Sequence, residues 1–398
     1  MCKPLIGHTL RALPVLLVIA FAVTKAHANE GVGISVGDSK IYPEVGVFYF
    51  NDSNIYSTRQ NERDDSGVNV RPQVRWVADS GLNTLSLTYQ GDIARHNDDD
   101  TLDFDNHDIA FDGLLEFSSR SRLQLVARKV FDHEPTNTGR SRFLDEETPD
   151  LTEFEDTGFN ATFQYGARTA KGGLEFSLEY AEREYTNNEI VTDGYSFDRV
   201  TSRFTFSYAV SSATRLTTGL EYAVFDSEES SQRVSPDNNF YFLFGGADWE
   251  ITGKTGGSVK LGVGAQDYDL DSRDDQSTLL VRAGTYWQPI KRARLTLDVN
   301  RRFATDTDSP STTTNVTLGW RHRWSDRTNS TLRYIVAKTD SDTSVDNTTR
   351  QTFQADMSYS LRRWLDLVLT GSTTTTSADV QNDEFNRQWY GVGLKLKL

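Results

Sequence analysis

Proton transfer near neutral pH is mostly histidine chemistry. Four histidines, His96, His107, His133 and His322, lie beyond residue 28. Three of them stand beside or near acidic residues such as Asp98 and Glu134, an arrangement suited to acid–base work at the rim of a larger structure. Hydrolysis would further require a serine or aspartate partner held in place. No nucleophile motif accompanies these histidines, and His322 alternates onto an apolar face. The sequence therefore assigns no catalytic residue and reads as a non-enzyme. One cysteine in the whole chain leaves no disulfide framework and no Cys-based zinc site. Asp267, Asp269 and Asp271 have the alternate spacing that opens a calcium loop, but the glycine that should follow is missing. No metal and no cofactor is assigned.

The remaining chemistry is that of charges at alternate positions, and the elements that place them are strands. Val68, Val70, Val74 and Trp76 share one face, with Asn69, Arg71, Gln73 and Arg75 between them. Leu174, Phe176, Leu178 and Tyr180 repeat the pattern, as do Phe204, Phe206 and Tyr208, and Val316, Leu318 and Trp320. Each segment is a strand with one apolar and one polar face. Eighteen such strands start near residues 43, 66, 82, 105, 123, 154, 173, 197, 215, 239, 257, 277, 294, 312, 329, 350, 364 and 385.

The connections alternate in length. Long polar ones follow the odd strands and tight ones, such as Asp79-Ser80-Gly81 and Lys171-Gly172-Gly173, follow the even strands. An even number of amphipathic strands with short turns on one side and long loops on the other describes an all-β, antiparallel up-and-down barrel of the bacterial outer membrane. The last outward residue of successive descending strands reads Trp76, Phe117, Tyr165, Tyr208, Trp249, Trp287 and Trp324, then Leu361. Aromatic rings at one height mark the girdle where such a barrel meets lipid headgroups. The last strand ends Tyr390, Val392, Leu394, Leu396, Leu398 on its outward face, which resembles the C-terminal signal read by the barrel-assembly machinery, with Leu in place of the usual Phe.

The opening segment is of another kind. Lys3 and Arg11 precede an apolar run from Ala12 to Val23, and Ala26-His27-Ala28 supplies a small-x-small cleavage pattern. Residues 1–28 read as a secretory signal peptide, and residues 29–398 as one barrel domain. The 398 residues carry 42 basic and 57 acidic side chains, a net −15 that becomes −18 when Lys3, Arg11 and Lys25 are lost with the leader. Such a balance disfavours nucleic acid as a partner. A mean hydropathy of −0.54 with 37% hydrophobic residues would suit a disordered chain, but 11% aromatic residues argue against one. The long connections hold most of the negative charge and the short turns are basic, with Arg120, Arg122, Lys171, Lys291, Arg292, Arg362 and Arg363. Acidic loops serve solvation and mutual repulsion, or bridge through divalent cations to lipopolysaccharide or extracellular polymer.

A barrel of this size has a lumen wide enough for an aqueous channel. Alternation predicts that Arg71, Arg75, Arg282, Arg294, Arg302, Arg321, Arg323, Arg333, Lys395 and Lys397 line it on one arc. Asp92, Asp108, Asp112, Glu116, Glu175, Glu179 and Glu221 line the other arc, while Asp298, Asp356, Asp366 and Arg128 break the sorting. Two such arcs would set a transverse field across the pore; the alternative is that the charges satisfy one another. Inward Tyr286 and Trp389 would offer stacking faces to sugars, or pack against a loop.

Near the first strand stands Pro43-Glu44-Val45-Gly46-Val47-Phe48-Tyr49-Phe50-Asn51-Asp52-Ser53-Asn54-Ile55-Tyr56. A strand running into an Asn-Asp-x-Asn-Ile-Tyr loop resembles the opening of the putative β-barrel porin 2 family, which is similar to outer-membrane barrels encoded with exopolysaccharide clusters. The resemblance implies an eighteen-stranded barrel through which a secreted polysaccharide crosses the outer membrane. It further implies a periplasmic polysaccharide-export protein as a working partner. The basic turns would dock an acidic partner of that kind, or serve ordinary turn solubility. The expectation is a passive conduit for exopolysaccharide. The alternatives are a diffusion porin for small solutes and a structural or adhesive surface barrel.

Overall fold

The structure is a computed structural model that describes residues 31–144, 151–230, 233–251, 253–304, 310–341, 347–379 and 383–398. The expected signal peptide, residues 1–28, lies outside the described residues.

A three-residue strand, β1 (Ile34–Val36), pairs with the start of β2 (Ser39–Asp52). Then follow β3 (Asp65–Ser80), β4 (Asn83–His96), β5 (Phe104–Ser118), β6 (Ser121–Glu134), β7 (Thr152–Tyr165) and β8 (Gly172–Tyr185). Next come β9 (Phe197–Ala209), β10 (Thr214–Ser227), β11 (Asn238–Ile251), β12 (Thr255–Tyr268), β13 (Gln276–Ile290) and β14 (Ala293–Phe303). The last five are β15 (Ser311–Arg323), β16 (Thr328–Ser341), β17 (Thr348–Arg362), β18 (Leu365–Ala378) and β19 (Phe385–Lys397). Every neighbour from β2 to β19 pairs antiparallel with the next, and β19 returns to β2 with Leu394 opposite Val47 and Lys397 opposite Glu44. The result is a closed eighteen-stranded barrel. Closure leaves no strand edge in lipid, where an unpaired backbone group costs several kcal/mol.

The first barrel strand starts at Ser39 rather than near residue 43, because the hairpin with β1 extends it past Pro43. Pro43 has no N–H to give, but its carbonyl accepts from the Leu398 amide at 3.2 Å. The short turns are as tight as their sequences require. Gly81, the first of two residues between Ser80 and Asn83, takes φ +65°, the left-handed start that a type II′ hairpin demands.

Alternation decides the two faces. Outside, large apolar side chains meet solvent all the way round: Leu243 is 65% exposed, Val263 61% and Leu279 57%. A band of this extent is not stable in water; each Leu or Val gains roughly 1.5–3 kcal/mol on entering hydrocarbon. Phe117, Tyr165, Tyr208 and Trp287 stand exposed at the short-turn end of this band, with Trp76 and Trp249 at the same level. Trp324 lies one residue beyond β15 and packs with His322 and Trp320, ring centres 4.3 and 5.9 Å away.

Inside, the large apolar residues lie flat on the wall. Phe242, Phe244, Leu280 and Phe303 form one buried cluster. Phe244 lies over Gly219, whose missing Cβ would stand 2.6 Å from its ring. Leu280 covers Gly264, and Phe48 covers Gly393, at 2.3 and 2.4 Å from the same hypothetical atom. Rings thus occupy the space that glycines on neighbouring strands leave open. Cationic groups then cover the rings: Arg282 over Phe242 at 4.9 Å, Arg71 over Phe48 at 4.8 Å and Lys260 over Phe244 at 5.4 Å. The lumen surface is polar although much of the wall beneath it is aromatic.

Candidate functional site in the barrel lumen

The pairing register places Arg71, Arg75, Arg282, Arg294, Arg302, Arg321, Arg323, Arg333, Lys395 and Lys397 on the inner face. It does the same for Asp92, Asp108, Asp112, Glu116, Glu175, Glu179 and Glu221. The expected division into a basic and an acidic arc is not what these charges form. Arg183 also points inward, on the same strand as Glu179, and so do Arg199 and Arg203, on the strand between those that carry Glu179 and Glu221. Sequence reading missed them, although each sits at the inward parity of its strand.

Most inner carboxylates are neutralised across strands. Glu221 receives Arg203 at 2.6 Å and both Nη atoms of Arg282 at 2.7 and 2.8 Å. Arg128 donates to both oxygens of Asp108 at 2.9 and 2.7 Å. Arg71 meets Asp92 at 3.0 Å, Arg199 meets Glu179 at 3.4 Å, and Lys397 meets Asp366 at 2.5 Å. Lys395 pairs with Glu44, and Glu116 with Arg168. A cavity of about 420 Å³ opens among the long connections, and one of about 530 Å³ lies against the inner wall beside Arg71, Asp92, Asp108 and Lys395.

One stretch of wall differs. Arg294, Arg321, Arg323 and Arg333 sit on the adjacent strands β14, β15 and β16, and among the described residues none of them makes an ion pair. Arg294 stands directly opposite Arg321, a like-charge juxtaposition that costs stability in a sheet. Asp298 and Asp356, on the same arc, make no ion pair either; Asp356 accepts from Thr370 at 2.7 Å. Arg294, Arg321 and Arg323 lie at the short-turn end of the lumen. An unneutralised patch on a low-dielectric wall attracts anions to that mouth.

Tyr286 and Trp389 do point inward, but guanidinium groups cover them. Arg294 lies 4.0 Å from the Tyr286 ring centre and Arg71 lies 5.7 Å from that of Trp389, which also stacks on Phe50. Neither ring therefore offers a bare face on that side. The histidines are held by neighbouring side chains. His107 bonds the Tyr89 hydroxyl at 3.0 Å, and His96 and His133 are packed against Phe104. Among the described residues no group of histidine, cysteine and carboxylate side chains has a metal-holding arrangement.

The Asn-Asp-x-Asn-Ile-Tyr segment is the keystone of the long-loop end. Asp52 is fully buried and binds Arg387 of the last strand. Asn54 donates to the carbonyls of Thr58 and Asn386 at 2.7 and 2.8 Å and accepts from the Thr58 amide at 3.0 Å. Ile55 packs with Leu102 and Leu151, and the Tyr56 hydroxyl donates to Asp99. The connection after β6 rests on this turn: Thr136 donates to the Ile55 carbonyl and Asn137 to that of Ser57, at 2.7 and 2.8 Å.

A closed eighteen-stranded ring with an apolar exterior and a charged interior defines an outer-membrane, porin-like β-barrel. The sequence matches the family described as putative β-barrel porin 2 over residues 27–398, and the chain belongs to that family. No match is found among curated proteins. Among solved structures, it is similar to a BenF-like porin from Pseudomonas fluorescens Pf-5, at 11% identity and TM-score 0.46, covering 91% of this chain and 100% of that one. OpdL of Pseudomonas aeruginosa is similar at 12% identity and TM-score 0.44, covering 91% and 100%. The FrpB iron transporter of Neisseria meningitidis (F5-1 variant) is similar at 12% identity and TM-score 0.47, covering 90% of this chain and 67% of that one.

Proposed function

We propose that this barrel is a passive outer-membrane conduit for an acidic exopolysaccharide, which enters from the periplasmic, short-turn side. The observation that carries the reading is the patch of Arg294, Arg321, Arg323 and Arg333, inward-facing and without an ion-pair partner among the described residues. A polyanion gains from such a patch what the neutralised remainder of the wall does not offer. The wall's layered construction, with cations over rings, presents hydrogen-bond donors along the passage and no deep apolar trap. A periplasmic polysaccharide-export protein would meet the basic turns at Lys291, Arg292, Arg362 and Arg363. Inner wall and turns supply no energy source, so the driving force comes from synthesis behind the polymer.

Deletion of the gene tests the reading. Secreted polymer is expected to fall and to accumulate in the periplasm. The wild-type gene should restore secretion and the Arg321→Glu/Arg323→Glu variant should not. Normal secretion in the deletion strain would overturn the proposal. Normal secretion combined with altered small-anion permeability would identify a diffusion porin instead.

A further inference from the structure

The neutralised side of the lumen holds a hollow unlike the arginine patch. This is the cavity of about 530 Å³ on the inner wall, lined from β17 through the closing seam to β6. It begins on the strand next to β16, which carries Arg333. Its volume lies within the range of small-molecule sites, roughly 300–1,000 Å³. Each arginine and lysine on its lining is already paired with a carboxylate of the same lining: Arg71 with Asp92, Arg128 with Asp108 and Lys395 with Glu44. An anion entering the hollow therefore meets no unpaired cation. The neutral polar groups are in the opposite state. Gln73 on β3 stands directly opposite Gln90 on β4, both at inward parity, and Ser358 lines the hollow from β17. Among the described residues none of these three side chains makes a hydrogen bond. The floor between them is flat and apolar. Val130 and Val368 line it, and Phe48 lies over Gly46, whose hypothetical Cβ would stand 2.5 Å from its ring.

A carboxamide both donates and accepts. Two of them on opposite residues of neighbouring strands are close enough to grip adjacent hydroxyls of one ring. Paired carboxylates keep spare lone pairs for further hydroxyls, while the flat floor suits C–H groups. A sugar ring has both surfaces, hydroxyls around its edge and C–H groups on its face. We infer that this hollow binds an uncharged sugar unit on the inner wall of the barrel. That the unit belongs to an exported polymer rests on the export reading above; the preference for an uncharged, hydroxyl-rich ring rests on the hollow itself. An acidic polymer then uses two neighbouring stretches of one wall, its carboxylates at the arginine patch and its uncharged units here.

The test is calorimetric titration of the full-length barrel, folded in a detergent that has no sugar headgroup. Maltohexaose is the probe, and polyethylene glycol of the same size is the polymer without hydroxyls along its chain. Maltohexaose should bind about tenfold more tightly than polyethylene glycol, and equally well at low and high salt because no net charge is engaged. Gln73→Leu/Gln90→Leu should weaken it about tenfold, and Gln73→Asn/Gln90→Asn should weaken it less. The Arg321→Glu/Arg323→Glu variant, altered at the patch, should bind maltohexaose as wild type. Heat-modifiable gel mobility verifies that each variant is a folded barrel; if the leucine pair is not, Ser358→Ala takes its place, with a smaller loss expected. Equal binding of the two polymers, maltohexaose binding that fades with salt, or binding indifferent to the glutamines overturns the inference. The two proposals fail separately: maltohexaose binding with unimpaired secretion in the deletion strain removes the export reading alone, and lost secretion without maltohexaose binding removes the wall site alone.

Discussion

Arg387 on the last strand grips Asp52 on the first barrel strand, its Nε 2.8 and 2.7 Å from the two carboxylate oxygens. The two residues are 335 positions apart in sequence and cross the seam at which the ring closes. Asp52 is only 1% exposed and also accepts from the Asn54 amide at 3.2 Å. Arg387→Ala is expected to destabilise the barrel by about 3–5 kcal/mol, the usual penalty for breaking a buried ion pair. Urea-unfolding midpoints in detergent measure it. Replacing both residues by apolar ones should recover most of the loss; no recovery would show that the pair does more than neutralise itself.

The inner wall relies on glycines as sockets. At Gly264 a Cβ would lie 2.3 Å from Leu280 Cδ1, so Gly264→Ala should cost about 1–3 kcal/mol through overpacking. Combined with Leu280→Ala, the pair should be less destabilising than the sum of the two single changes, because each makes room for the other. Strict additivity in the same unfolding assay would refute the contact.

Leu243 stands near the middle of β11 on the outer face and is 65% exposed. An arginine there meets lipid at mid-depth, at a cost of about 2–4 kcal/mol. Leu243→Phe should be nearly neutral. If the arginine variant folds in vesicles as stably as wild type, that face does not lie in hydrocarbon.

Ion selectivity should move in opposite directions at two places. Arg321→Glu/Arg323→Glu replaces positive charge on the unneutralised patch by negative charge, and should shift the reversal potential under a salt gradient towards cations. Glu221→Gln removes the carboxylate that holds Arg203 and Arg282 and should shift it towards anions. Both effects should shrink at high salt as charges are screened. Shifts of the same sign would contradict this assignment of the wall.

Tyr56 and Asp99 latch two long connections, and the latch has a pH window. Burial, with the hydrogen bond to Asp99 and its charge, pushes the Tyr56 hydroxyl up to about 12. Burial also raises the Asp99 carboxyl, but hydrogen bonds from Thr101 and Tyr56 and the charge of Arg63 outweigh it and hold it below the usual carboxylate range. A depressed carboxylate contributes stability above its unfolded value, lost as pH falls through the folded one; a raised phenol contributes below its unfolded value, lost as pH rises through about 12. Amide protection of residues 53–64, with exchange rates referred to those of an unstructured peptide at the same pH, should therefore be greatest near neutral pH and fall at both extremes. Tyr56→Phe should abolish the alkaline step and weaken the acid one; an unchanged alkaline step would assign it elsewhere.

Much of this molecule is local and was therefore legible in the sequence. A period of two assigns each side chain to lipid or lumen whatever its neighbours are, so strand number, faces, girdle positions and loop sides follow from residues such as Val68 to Trp76. The inward parity of Arg203 was equally legible and was overlooked. Which charges meet is not a local property. It depends on the stagger between strands, and only the closed register brings Arg203 and Arg282, 61 residues beyond Glu221 in the latter case, onto one carboxylate. The same holds for the mouth. Alternation has nothing to say about irregular loops, and Arg140, Tyr195 and Arg233 come together because three connections fold over one opening. Sequence alone determined a ring with an apolar outside and a charged inside. Tertiary structure decided which of those charges cancel and which remain available, since cancellation needs contact and contact is set by register.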